Sequence, residues 1–298
     1  MENLKGIMPA VVTPFEADGT FKECAFENLL GRLYRTGVHG IYISGQTGEG
    51  LLQSPDQREA VMKSAVANSP RGKTVIAHVG AGSTAEAVRL ARFAGKAGVH
   101  AISSLPPIGN YSFAEIKQYY EALAAASDLP LLIYYFPALA PAIVSADQIK
   151  ELCRIPNVVG LKFTGHDFFM MSIVKESGAT IFSGYDEVLV AGLLMGADGG
   201  IGTFYNLVPE LFVEIYELSL EKKWDEARRR QKKVNSLIEA AVRYPVFPAI
   251  KKLLAWSGLD CGECLPPRRS LTADEETALR DSIGKLDFEG LFPNLNAT

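Results

Sequence analysis

The chain has 298 residues, 48% of them hydrophobic and 21% charged, an ordinary composition for a globular protein able to bury one large core. Its formal charge of −4 provides no overall positive field for nucleic acid, and no apolar run reaches the ~18 residues of a membrane span. Met1-Glu2-Asn3-Leu4-Lys5-Gly6 precedes no signal-peptide stretch, and four cysteines at this length are no disulfide framework. The expectation is a reduced, cytoplasmic protein with neither membrane nor nucleic-acid partners.

Along the chain, short apolar runs alternate with longer amphipathic stretches. Runs at 7–13, 40–44, 74–79, 101–105, 131–135, 158–163, 180–183 and 199–202 read as strands. Stretches at 23–36, 55–68, 84–97, 113–126, 146–153, 167–176 and 187–194 read as helices between them. Start signals agree: Ser54-Pro55 places Pro at a first helical position, and Ser83, Ser112 and Ser145 are suited to N-caps. Strands that each precede a helix, with no two strands adjacent, call for parallel pairing through βαβ crossovers. Their count predicts an α/β fold, a (β/α)8 barrel over residues 1–208. The segment 209–298 reads almost wholly helical and is expected to pack on the barrel as an extension of the same domain.

A barrel places chemistry at the C-terminal ends of its strands. Lys162 ends Val158-Val159-Gly160-Leu161-Lys162-Phe163, and turned inward it would be desolvated. Desolvation disfavours the ammonium and leaves an amine able to form a Schiff base with a carbonyl. A strand-end Lys can equally point to solvent. Tyr134 ends the neighbouring fifth strand, so its hydroxyl could face Lys162 and move a proton there, while Tyr135 should point to the other face. A Tyr at such a place is otherwise a core residue.

After the second strand comes Gly45-Gln46-Thr47-Gly48-Glu49-Gly50, whose backbone N–H groups and Thr47 hydroxyl suit a carboxylate, although such turns are common. Gly184-Tyr185-Asp186-Glu187 and the stretch through Gly202-Thr203 set two carboxylates and a hydroxyl at the mouths of strands seven and eight. That set suits a polyhydroxylated ligand, and the two acids would also serve simply to start a helix. Other motifs lead nowhere comparable. Gly80-Ala81-Gly82 lacks the acid that a dinucleotide loop needs, and His39, His78, His100 and His166 have no metal-ligand spacing. Arg228-Arg229-Arg230 is interleaved with acids as a solvated helix face. Cys261 and Cys264 share a CxxC spacing in a Pro-rich loop, without the second ligand pair of a zinc site or the strand–helix context of a redox motif.

Taken together and in order, these residues resemble the pyruvate-dependent class I aldolase family that contains dihydrodipicolinate synthase and N-acetylneuraminate lyase, across residues 6–202 and more loosely beyond. The family's GxTGE loop is similar to Gly45-Gln46-Thr47-Gly48-Glu49, its YxxP segment to Tyr134-Tyr135-Phe136-Pro137, and its Schiff-base lysine to Lys162 in Gly160-Leu161-Lys162-Phe163-Thr164. The resemblance implies a pyruvate carboxylate held by Gly45, Gln46, Thr47 and Gly48, a proton moved by Tyr134, and an imine on Lys162, with no metal or organic cofactor. Dihydrodipicolinate synthases carry an Arg two residues after the YxxP proline, where this chain has Leu139, so the lyase branch is nearer. Lyase similarity implies that Thr164, Gly184, Asp186, Glu187, Gly202 and Thr203 contact the sugar chain and that Phe247 lines its pocket. It further implies a homotetramer, and reversible cleavage of a sugar acid, N-acetylneuraminate, to N-acetylmannosamine and pyruvate.

Three positions depart from that pattern. Gln46 replaces a hydroxyl residue, and an amide cannot relay protons as a hydroxyl does. The fourth-strand loop Pro106-Pro107-Ile108-Gly109-Asn110-Tyr111 lacks the tyrosine that many relatives supply there, and Ala140-Pro141 replaces a small-residue–Gly pair. They leave open an aldolase or dehydratase for another 2-keto-3-deoxy sugar acid. A non-catalytic sugar-acid sensor on the same barrel would need neither Lys162 nor Tyr134.

Overall fold

The computed structural model describes residues 4–288 and 290–295. Strands β1 (Gly6–Pro9), β2 (Gly40–Ile43), β3 (Thr74–His78), β4 (Ala101–Ser104), β5 (Leu131–Tyr135), β6 (Val158–Phe163), β7 (Thr180–Ser183) and β8 (Gly199–Gly202) pair in parallel in the order β1-β8-β7-β6-β5-β4-β3-β2. The gap between β1 and β2 is bridged by Ala10 against Tyr42, with Val11 N–H donating to the Tyr42 carbonyl at 2.9 Å. The result is a nearly closed (β/α)8 barrel.

Each strand is followed by a helix: α1 (Glu23–Arg35), α2 (Pro55–Ala67), α3 (Thr84–Ala97), α4 (Phe113–Ala124), α5 (Ala146–Leu152), α6 (Phe168–Lys175), α7 (Leu189–Leu194) and α8 (Pro209–Leu220). The expected caps form. Ser54, Ser83 and Ser145 each accept the N–H three residues on, and Ser112 with Glu115 makes a reciprocal capping box. Helix α8 packs on α7 and β1 and takes the eighth place in the helical ring. Beyond it lie α9 (Trp224–Ala241), α10 (Val246–Trp256) and α11 (Ala273–Ile283).

Strand alternation sorts the core into two layers. Met8, Tyr42, Ile76, Leu132, Tyr134, Phe182 and Ile201 fill the barrel. Their neighbours Ile7, Ile41, Leu131, Ile133, Tyr135, Leu161 and Ile181 face the helices. Each such large apolar side chain contributes roughly 1.5–3 kcal/mol on burial, which is what holds the two layers in register.

Several strands are shorter than their apolar runs. Where 7–13 is expected, β1 runs only Gly6–Pro9. Val11 and Val12 stay buried beyond the strand end, where Val12 N–H donates to the Asn206 side chain and the Thr13 hydroxyl to the Gly48 carbonyl. Burial explains the hydrophobicity there, and backbone pairing gives way at Val12 and Thr13 to bonds with the Asn206 side chain and the loop after β2. Likewise β2 stops at Ile43, because Ser44 adopts φ +56° and leaves the extended region. The helix expected at 187–194 opens instead with a 3-10 turn, Asp186–Val188, before α7.

Candidate active site

Strands β5 and β6 pair so that Tyr134 stands directly opposite Lys162. Alternation turns both into the barrel, whereas Tyr135 goes to the helix side against Phe163, ring centroids 4.9 Å apart. Lys162 is only 5% exposed, and its Nζ lies 4.3 Å from the Tyr134 ring centroid and 4.9 Å from that of Tyr42. Burial lowers its pKa to about 7, with the charge of Asp186 opposing. Burial likewise pushes the Tyr134 phenol well up, against the pull of the Thr164 hydroxyl beside it. Tyr134 therefore holds its proton while Lys162 readily gives its own up.

Asp186 is another buried ionisable group. Burial raises its carboxyl to about 7; the Phe204 N–H, donating to Oδ2 at 2.6 Å, pulls it down, and Glu187 pushes it up further. Its other oxygen touches β8, where a Cβ on Gly202 would lie 2.1 Å from Oδ1. A side chain at Gly184 would similarly meet Thr164 Oγ1 at 2.1 Å, so both glycines are there because polar side chains occupy their Cβ space. Behind Lys162 the barrel floor is also polar. His78 accepts the Leu105 N–H on Nε2 at 3.0 Å and so carries its proton on Nδ1, 3.1 Å from the Ser44 carbonyl. Burial, with Arg58 adding, keeps that imidazole neutral.

A cavity of about 210 Å³ opens above these groups. Of the residues expected from sequence, Gln46, Thr47, Tyr134, Lys162, Thr164, Gly184, Asp186, Glu187, Thr203 and Phe247 line it. Gly45, Gly48 and Gly202 do not. Gly45 and Gly48 pack the loop backbone on Tyr42 and Val11, and Gly202 abuts Asp186. The Thr47 and Thr203 hydroxyls meet at 2.7 Å and tie the loop after β2 to the end of β8.

Sequence reasoning missed the rest of the wall. Phe136 stacks on Tyr134 at 6.0 Å, and Tyr185 stacks on His166 at 4.4 Å near the mouth, where His166 also faces Glu187 at 4.0 Å. Phe136 and Tyr185 sat inside motifs that were read for their other members. Ile238 on α9, Val242 just past its end and Val246 on α10 complete the wall and carried no signal beyond helical amphipathicity. The same is true of two supports on α9: Gln231 donates to the Asp186 carbonyl at 2.9 Å and Asn235 to the Glu187 carbonyl at 3.0 Å, holding the acidic turn in place.

Under the loop after β2, Glu49 is fully buried and adopts φ +56°. It pairs with Lys251 at 2.9 Å and lies 3.6 Å from Arg268, and its Oε2 accepts the Leu265 N–H at 2.8 Å. Arg268 lies 3.9 Å over the Phe247 ring and donates to the Gln46 carbonyl at 3.0 Å. Cys261 and Cys264 are both free thiols, pushed up to about 12 by burial. Among the described residues no three His, Cys, Asp or Glu side chains gather closely enough to hold a metal ion, and no helix is long and apolar enough to cross a membrane.

The family model of dihydrodipicolinate synthetase matches residues 3–286. The chain belongs to that family. Within the dihydrodipicolinate synthetase family it is 36% identical over 283 residues to an N-acetylneuraminate lyase of Rhizobium meliloti, covering 94% of each chain. Among solved structures, CdNal of Clostridium difficile in complex with mannosamine superposes with a TM-score of 0.91 at 30% identity, over 95% of this chain and 99% of that one. The sialic acid aldolase of Ruminococcus gnavus does so with a TM-score of 0.89 at 29% identity, over 94% and 96%.

Proposed function

We propose that the protein is a Schiff-base-forming lyase that cleaves N-acetylneuraminate reversibly to N-acetylmannosamine and pyruvate. The observation that carries this reading is the register pair of Lys162 and Tyr134, buried face to face on the floor of a cavity at the C-terminal mouth of the barrel. Its substrate assignment is supported by lyase relatives matched over nearly the whole chain.

In this mechanism the neutral Lys162 amine attacks the C2 ketone and loses water to give the protonated imine. The C3–C4 bond then breaks, its electron pair flowing into the imine to form the enamine, while the Tyr134 phenol relays the proton of the C4 hydroxyl, taking it up as its own proton passes on to the enamine carbon. N-acetylmannosamine departs as the aldehyde. Protonation of the enamine and hydrolysis of the imine release pyruvate and restore the lysine. The loop at 45–48 and Thr47 hold the carboxylate, and Thr164, Asp186, Glu187 and Thr203 read the hydroxyls of the sugar chain. Because the imine itself is the electron sink, the mechanism calls for neither metal nor organic cofactor. We place the enzyme in the cytoplasm, as a homotetramer.

Borohydride reduction in the presence of N-acetylneuraminate, followed by intact mass and peptide sequencing, tests this reading. A pyruvyl adduct on Lys162 is expected. An unchanged mass, with Lys162 still labelled by pyruvate alone, would keep the aldolase chemistry and move the substrate to another 2-keto-3-deoxy sugar acid, Gln46 being the first position to examine. Binding without any adduct from either compound would favour a sensor.

A further inference from the structure

The buried charges beneath the loop at 45–50 do not cancel. Glu49 is a single carboxylate facing two cations, Lys251 and Arg268. Of the neighbouring acids, Asp260 is neutralised by Lys22 at 2.9 Å, and Glu263 keeps its charge on the exposed side, where it accepts from the Ser270 hydroxyl and water screens it. Burial keeps the nearby Cys264 thiol neutral. The cluster therefore carries one formal positive charge in excess, and both cations come from the C-terminal extension.

Arg268 is also oriented toward the loop. It donates to the Gln46 carbonyl at 3.0 Å, reaches within 3.5 Å of the Gln46 side-chain oxygen, and has its NH1 buried without a hydrogen-bond partner of good geometry. In a planar trans peptide the carbonyl of Gln46 and the N–H of Thr47 point in opposite directions. Holding the carbonyl on Arg268 therefore aims the Thr47 N–H away from the C-terminal segment, on the residue that lines the cavity. Phe247 beneath the guanidinium keeps it flat and partly dry.

We propose that Arg268 is a positioning residue that supplies the remote counter-charge for the substrate carboxylate, so that the cavity selects carboxylate-bearing ketones without Arg268 touching them. This rests on the reading that the loop at 45–48 takes the carboxylate and that Lys162 forms the imine. A charge acting through a buried, weakly screened loop is worth about tenfold in binding.

The test compares pyruvate with methyl pyruvate, the same ketone without its charge, by borohydride trapping on Lys162 of the full chain at increasing ketone concentration. In Arg268→Gln, the pyruvate concentration for half-trapping should rise about tenfold while that for methyl pyruvate stays put. In Arg268→Lys, which keeps the charge but loses the planar fork, the preference for pyruvate should persist. Equal shifts for both ketones in Arg268→Gln would reduce Arg268 to a scaffold for the loop and overturn the proposal, as would no shift for either. Loss of the carboxylate preference in Arg268→Lys would overturn it too, and does not depend on the Gln variant folding. Failure of pyruvate to label wild-type Lys162 would overturn the Schiff-base reading first, and this inference with it.

Discussion

Thr47 and Thr203 share a hydrogen bond of 2.7 Å, although they are 156 positions apart in the chain and sit on loops from opposite sides of the weakest seam of the barrel. Strands β1 and β2 are joined by a bridge at Ala10–Tyr42, so side-chain links over this mouth do part of what ladder hydrogen bonds do elsewhere. The Thr13 hydroxyl adds to them, donating to the Gly48 carbonyl at 2.7 Å.

Replacing Thr47 with Val keeps the shape and leaves the Thr203 hydroxyl short of its partner. The expected cost is about 1–2 kcal/mol of stability, read from denaturant unfolding, together with a raised KM for the sugar acid. An unchanged KM would remove Thr47 from the carboxylate site.

Tyr134→Phe and Lys162→Ala should fail differently. Without the lysine no imine forms, and turnover should be abolished. Without the phenol the imine still forms, so borohydride trapping of pyruvate should survive while kcat falls about a hundred- to ten-thousandfold. Loss of trapping in Tyr134→Phe would assign the phenol to imine formation rather than to bond cleavage.

Buried ionisable groups make stability depend on pH with a sign that can be worked out. Lys162 falls from 10.5 to about 7 in the folded protein, so between those values the unfolded chain binds more protons and stability rises with pH. Asp186 rises from 3.8 to about 7, so between those values the folded protein binds more protons and stability falls with pH. Together they predict a dip near pH 7. Lys162→Met should flatten the arm above the dip and Asp186→Asn the arm below it, in unfolding midpoints measured from pH 4 to 10. Over the same range kcat should climb through about pH 7 as Lys162 loses its proton.

Gly202→Ala places a Cβ 2.1 Å from Asp186 Oδ1, on a strand that cannot shift without breaking its pairs to β1. The expected loss is about 1–3 kcal/mol, accompanied by lower activity because Asp186 must move. A variant as stable and active as the wild type would mean that this strand end is looser than its packing implies.

Much of the barrel was legible because a strand followed by an amphipathic helix writes its period and its caps locally. Ser83, Ser112 and Ser145 mark helix starts without reference to anything far away. Strand ends were less legible: Val11, Val12 and Thr13 are as β-branched as strand residues and fully buried, yet they lie beyond the end of β1. Lys162 and Tyr134 could be singled out because they end adjacent strands, and a parallel register brings such ends together. Gln231, Asn235 and Arg268 could not, since each reads as an ordinary polar residue of a helix or loop until the chain folds back on the barrel.

By itself, then, the sequence determined the alternation of strands and helices, the placement of Lys162 and Tyr134 at the ends of neighbouring strands, and the family, all of which follow from periodicity and short motifs; that both side chains turn into the barrel was settled by the fold. Only the tertiary structure decided that the acidic turn is held by α9, that Glu49 is buried between two cations of the extension, and that Thr47 meets Thr203. The reason is physical: local preferences act over a few residues, whereas burial, and the pKa shifts and charge pairing that come with it, depends on which distant surfaces exclude water from one another.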